Sequence, residues 1–254
     1  MQDREPLLYV FGVGAHSPDD LDDALCTIKH RDLVVFCAWA PRATFGEEAL
    51  RERMQDHQWL AKQALWHQNH VQRLFEQLHA MIPFRFGTLF NKKEHLLERV
   101  NEKYTEWISL LNKLRGYAEW ELQAFPEEEE LEQVLQARDP EWNAQQQAMA
   151  QASPGKRYLL RKQSEQIRQE ALRKQHRWFC EQMQQKTTQW PYEVRWVKVD
   201  DQSHQNPPVC RLALLGPFQQ PVRFEEDIIP LFDTIPHDGY RFVLKGPWPP
   251  YHFV

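Results

Sequence analysis

Apolar positions along the 254-residue chain change period several times, and each change marks an element. Leu7 to Val13 (LLYVFGV) and Asp32 to Trp39 (DLVVFCAW) are short β-branched and aromatic runs closed by Gly or Pro, the pattern of buried strands. Between them, Ser17-Pro18-Asp19 offers an N-cap hydroxyl, a proline at the first helical position and acids in the first turn, which predicts a short helix towards Ile28. From Phe45 to Ala80, the residues Leu50, Met54, Ala61, Leu65, Phe75 and Leu78 stay near one helical face, so one long helix is expected, stopped by Pro83. Met81 to Phe90 (MIPFRFGTLF) reads as a strand with a glycine inside it. Asn91 then caps a helix that carries Leu96, Val100, Tyr104, Trp107, Leu111 and Leu114 on one stripe until Gly116.

Beyond Gly116 the pattern restarts. Tyr117 to Phe125 (YAEWELQAF) alternates, as in a strand with one wet face. Residues 126–154 are rich in Glu and Gln and predict an exposed excursion, partly helical or mobile. Lys156 to Lys186 forms a long amphipathic helix with Leu160, Ile167, Ala171, Leu172, Trp178, Phe179 and Met183 inward. Pro191–Val199 and Val209–Leu215 are strands joined by a polar turn over Asp200–Pro208. Phe224–Phe232 is a short helix limited by Pro230, and Tyr240–Lys245 is the last strand. The order strand, helix, strand, strand, helix, strand is the βαββαβ arrangement of a ferredoxin-like domain. The fold class is therefore α+β with two domains: an N-terminal α+β domain over 1–116 and a C-terminal ferredoxin-like domain over 117–254 that contains the excursion.

Composition narrows the function classes. A net charge of -5, from 31 basic and 36 acidic residues, argues against nucleic acid as the main partner. No apolar run approaches membrane-spanning length and Met1-Gln2-Asp3-Arg4 opens no signal core, so a cytoplasmic chain is expected, with no membrane partner. Cys26, Cys37, Cys180 and Cys210 show no C-x-x-C spacing and read as reduced, packed thiols. His67 and His70 stand three apart on a helix but lack a recognisable third ligand, so packing or exposure is favoured over a metal site. No phosphate loop, nucleophile elbow or dinucleotide turn is present, so no motif points to a cofactor. Val209–Leu215 lacks the alternating aromatics of an RNA-binding strand.

Ten Trp and 14 Phe in so polar a chain must be packed or reserved for a partner. Two segments stand out. In Phe84-Arg85-Phe86-Gly87, a cation sits between rings on an apolar strand, where it needs a partner or an interface. In Gly246-Pro247-Trp248-Pro249-Pro250-Tyr251 the prolines predict a rigid, extended arm that either shows its rings or packs back on its own sheet. A small-molecule enzyme or sensor with a cleft between the domains around Arg85 is the alternative reading.

Leu8–Gly12, His70-Val71, the block Ile82–Phe90 (IPFRFGTLF), Glu119-Trp120, Gly155–Lys162 (GKRYLLRK) and Gly246–Phe253 (GPWPPYHF) together resemble the gas vesicle GvpF/GvpL family, in family order across almost the whole chain. Glu121-Leu122-Gln123 departs from its usually more basic and apolar stretch. The resemblance implies an N-terminal α+β domain, a modified ferredoxin-like domain, and a non-enzymatic accessory role in gas vesicle assembly. It further implies the major shell protein and other accessory proteins as partners, with a minor place in the vesicle, on its gas-facing side or early in assembly. Phe84, Arg85, Phe86, Gly87, Trp248 and Tyr251 are the candidate partner-binding or structural residues.

Overall fold

The computed structural model describes residues 5–199 and 206–254, apart from the side chains at 159 and 162. Most of the turn expected over Asp200–Pro208, and two side chains of the Gly155–Lys162 block, therefore lie outside the described residues. Two compact units emerge: one takes the chain up to Glu119 together with Leu215–Gln219 and Pro247–Val254, the other Trp120–Leu214 and Gln220–Gly246.

The first unit contains β1 (Leu7–Gly14), β2 (Cys26–His30), β3 (Leu33–Ala40), α1 (Arg42–Phe45), α2 (Glu47–Arg53), α3 (His57–Leu78), β4 (Ile82–Pro83), β5 (Leu89–Phe90) and α4 (Lys93–Leu114). The sheet runs β2-β3-β1-β4, with β5 also on β1. Both faces of β1 are covered, which explains its unbroken apolar run. Leu7, Tyr9 and Phe11 join Val71, Leu74, Phe75 and Leu78 of α3 in one core, while Leu8, Val10 and Val13 join Leu96, Val100, Trp107 and Leu111 of α4 in another. The β1–β3 register slips between Val10 and Gly12, a bulge at Phe11 that puts Val13 on the same face as Val10.

The helix expected over 17–28 is absent; Cys26–His30 is an edge strand paired antiparallel with β3 through the two-residue turn Arg31-Asp32, with Arg31 at φ 52°. Burial of Ile28 against the sheet outweighs the local Ser-Pro-Asp start signal. The long helix over 45–80 is three helices, interrupted at Gly46 and at Asp56, whose carboxylate accepts from the backbone N–H of Gln58 and Trp59 at 3.0 Å each. Asp56→Ala should therefore cost about 1 kcal/mol, read as a lower midpoint in chemical denaturation; an unchanged midpoint would contradict the cap. His79, left-handed at φ 57°, ends α3 before Pro83 is reached, and α4 starts after Lys92, not on an Asn91 cap.

Continuing along the chain, β6 (Tyr117–Pro126), α5 (Glu128–Arg138), α6 (Pro140–Gln151), α7 (Pro154–Thr187), β7 (Glu193–Val197), β8 (Cys210–Pro217), α8 (Pro221–Phe232) and β9 (Tyr240–Trp248) follow. The sheet order β7-β8-β6-β9 places the first and third strands of the βαββαβ series at the centre, the ferredoxin-like arrangement. Trp120, Leu122, Phe179, Met183, Leu212, Leu214, Phe224 and Ile228 form the second unit's core. Because β6 is an inner strand, the wet face expected for it is missing: Glu119 and Gln123 are buried, and Glu121 accepts from the Arg211 guanidinium at 2.8 Å. The 126–154 stretch is α5 and α6, burying Leu131, Leu135 and Trp142, with Asp139 capping α6 through the Trp142 N–H at 2.9 Å. Pro230 does not shorten α8, since it lies close to the helix end. Among the described residues no helix is long and apolar enough to cross a membrane.

Candidate partner-binding site

The segment expected as one strand from Met81 to Phe90 pairs with β1 only at its two ends. Between them the Phe84 N–H donates to the Phe11 carbonyl at 2.8 Å and the Val10 N–H to the Thr88 carbonyl at 3.0 Å, while residues 84–88 turn outward. Thr88 closes the turn by donating from its N–H and hydroxyl to the Arg85 carbonyl at 3.2 and 2.7 Å. Gly87 sits at φ +81°, a conformation a side chain rarely adopts. Arg85 is consequently exposed at a loop tip, and its guanidinium pairs with no carboxylate among the described residues. Phe86 is 41% exposed beside it, while Phe84 turns inward with its ring 5.6 Å from that of Trp107.

Under this turn lies a polar network that the sequence pattern did not single out. His67, on the apolar stripe of α3, is 3% exposed. Its Nε2 is 3.1 Å from the Phe84 carbonyl, and since a carbonyl only accepts, the proton resides on Nε2. Nδ1 therefore accepts from the Tyr9 hydroxyl at 3.0 Å, and the Tyr9 oxygen in turn accepts from the Gly87 N–H at 3.0 Å. The chain Gly87–Tyr9–His67–Phe84 returns to the turn where it began and fixes both ends of its exposed tip. Burial holds the His67 pKa down at about 4 and pushes Tyr9 up to about 12, so the imidazole is neutral and the phenol protonated at neutral pH. With both ring nitrogens engaged, His67 has no lone pair free for a metal. His70 lies with its ring 5.2 Å from Phe11 and its Nδ1 3.8 Å from Asp22.

The arm at 247–254 joins the same network. Pro249 and Pro250 are buried, Phe253 is 2% exposed, and the Tyr251 hydroxyl accepts from His67 Nε2 at 3.3 Å. The His252 N–H donates to Glu119 Oε2 at 2.8 Å and its Nδ1 lies 2.6 Å from Oε1. The arm thus packs back rather than displaying all its rings; Trp248 alone of its two named rings stays 41% exposed. Of the six residues singled out, Phe84, Gly87 and Tyr251 join the hydrogen-bond network around His67, Phe86 lays its ring edge-on against that imidazole with centroids 5.9 Å apart while keeping one side exposed, and Arg85 and Trp248 face solvent. The signal for His67 was a polar residue at the 67, 71, 74, 78 positions of one helical stripe. Trp39, 59% exposed beside Leu8, Pro6 and Lys92 in an open groove, is a further ring the pattern placed inside a strand. Arg85 lines neither this groove nor the one formed by Leu7, Arg42, Phe45 and Leu50.

A mixed α+β chain with a ferredoxin-like sheet and a pinned P-F-R-F-G turn defines the class. The chain belongs to the GvpL/GvpF family of gas vesicle synthesis proteins, whose model matches residues 7–254. It is 26% identical to gas vesicle protein L of Streptomyces sp. (strain CB03234) over 235 residues, 89% of this chain and 82% of that protein. It is 26% identical to gas vesicle protein L1 of Halobacterium salinarum over 199 residues, 74% of this chain and 68% of that protein. Its fold is similar to the crystal structures of GvpF from Anabaena sp. PCC7120 (TM-score 0.59, 15% identity, 98% of both chains) and Microcystis aeruginosa (TM-score 0.61, 15% identity, 97% and 98%). Family membership assigns the chain to gas vesicle assembly.

Proposed function

We propose that this chain is a non-enzymatic accessory protein that binds the small, apolar major shell protein of the gas vesicle, keeps it from aggregating, and supports nucleation as a minor component on the gas-facing side, alongside other accessory proteins. The observation that carries the reading is the pinned turn. Burying a Tyr–His hydrogen-bond chain is worthwhile only when every member is satisfied, and here its product is a rigid tip that presents Phe86 and Arg85 to solvent. Exposed aromatic rings on fixed backbone are suited to covering an apolar partner, since little conformational freedom is lost on contact. Phe86 and Trp248, with Trp39, supply those rings within one unit.

Phe86 and Trp248 are not among the buried core residues, so Phe86→Ala with Trp248→Ala should lower the unfolding midpoint only modestly, chiefly through the lost edge-on contact of Phe86 with His67. Retention of detergent-solubilised shell protein should drop about tenfold or more, the effect of losing two ring anchors. Retention equal to that of the unaltered chain, or no retention by either, would remove the proposal. The corresponding cell experiment is replacement of the chromosomal copy, with vesicle number counted by electron microscopy.

A further inference from the structure

We infer that Cys26 and Cys37 form a redox-active dithiol that closes to an intramolecular disulfide, locking the edge strand β2 to β3. The two residues are direct partners in the antiparallel register. Opposed residues in such a pair have Cα atoms about 4.5–5.5 Å apart, inside the roughly 4.4–6.8 Å span that a disulfide bridges. Their sulfur atoms already stand 3.2 Å apart, so the bond forms with side-chain rotation and little backbone movement. The spacing of 11 residues gave no hint of this, because the pairing is made by the β2–β3 turn.

The two thiols divide the work. Cys26 is half-buried and reachable from solvent; Cys37 is fully buried and donates towards the Cys26 carbonyl at 3.4 Å. Burial raises the Cys37 pKa far above that of an ordinary thiol, with the hydrogen bond to Cys26 adding to it. Cys26 is therefore the entry point. As thiolate it attacks oxidised glutathione, forming a Cys26–glutathione disulfide and releasing one glutathione thiolate, which takes up a proton. Cys37 then loses its proton and attacks Cys26 Sγ, forming the Cys26–Cys37 bond and expelling the second glutathione. Two thiols are oxidised by two electrons and one glutathione disulfide becomes two glutathiones. Resolution is the slow step, since it requires a buried thiolate.

β2 lies at the end of the sheet order with β3 as its neighbour, so the bond joins an edge strand to the strand that holds it. The consequence is a covalent restriction on peeling of β2, a motion that would leave the backbone groups of β3 unpaired and open to foreign chains.

The folded full-length chain would be incubated with oxidised glutathione, alkylated without reduction and digested with trypsin. Cleavage after Lys29 and Arg31 places Cys26 and Cys37 on separate peptides, and Cys180 and Cys210 lie on others. The expected product is a linked pair of the peptides ending at Lys29 and Arg42, lost on treatment with dithiothreitol, together with slower amide exchange in β2. In Cys37→Ser the reaction should stop as a glutathione adduct on Cys26, and Cys26→Ser should take up none at Cys37. Recovery of both alkylated peptides unlinked from the unaltered chain, or a lasting glutathione adduct on its Cys26, would overturn the inference whatever the variants do.

Discussion

Replacing Gly12 with alanine is expected to lower the unfolding free energy by about 3 kcal/mol, at the upper end of what overpacking a filled core costs. A Cβ there would sit 2.5 Å from the Ile82 carbonyl oxygen and 2.4 Å from Met81 Cε. The methionine tip can rotate away, but the carbonyl belongs to β4, paired with β1 through Gly12 and Pro83. β3 holds the opposite edge of β1, so the strand has nowhere to retreat. Relief must come by pushing β4 off the sheet, which also drags the Phe84 carbonyl away from His67. Two readouts should therefore move together: the denaturation midpoint, and retention of shell protein. An unfolding free energy within about 0.5 kcal/mol of the parent would show that β4 tolerates displacement and that the close approach is incidental.

The second large effect is a pH dependence. His67 titrates near 4 in the folded chain against 6.5 unfolded. Folding therefore favours the neutral ring, and its contribution is complete above about pH 6.5 and lost as pH falls through 4. The whole difference is about 3 kcal/mol. His70 and His176 are also held down by burial, and Asp22 partly offsets this at His70. The informative quantity is thus the difference between the parent and His67→Gln, whose amide does not titrate. Parent stability should drop more steeply between pH 6.5 and 4 than that of the variant, which starts lower because the imidazole's hydrogen bonds to Tyr9, Phe84 and Tyr251 are weakened. Parallel curves would mean that His67 is already charged, and with it the tautomer assignment would fall.

The architecture was readable where apolar runs were long and both faces covered. Leu7–Val13, Asp32–Trp39, the stripe from Leu96 to Leu114 and the βαββαβ order all reappear in the structure. Errors cluster where a local signal competed with tertiary pairing. Ser17-Pro18-Asp19 is a sound helix start, yet Cys26–His30 gains more by pairing with β3. Glu128–Glu130 are exposed, in keeping with a solvated acidic run, but they lie in the first turn of a helix whose buried side, Leu131 and Leu135, was not read from the pattern. The strand over 81–90 failed at Arg85-Phe86-Gly87, where a cation and a glycine interrupt the apolar run and the backbone leaves the sheet. The site was half legible: the P-F-R-F-G block and the proline-rich arm announce themselves, but Tyr9 and His67 are separated by 58 residues and only the folded chain joins them.

The arm has a consequence for the order of events in the cell. His252 reaches Glu119 across 133 residues of sequence, and Tyr251 reaches His67 across 184. The unit whose strands leave the ribosome first must wait, lacking a buried ring and the partner of an interior carboxylate, until Pro247–Val254 has been translated. Completion of its core therefore requires that segment, and a nascent chain stalled before residue 247 would carry an unfinished amino-terminal half however long it was given.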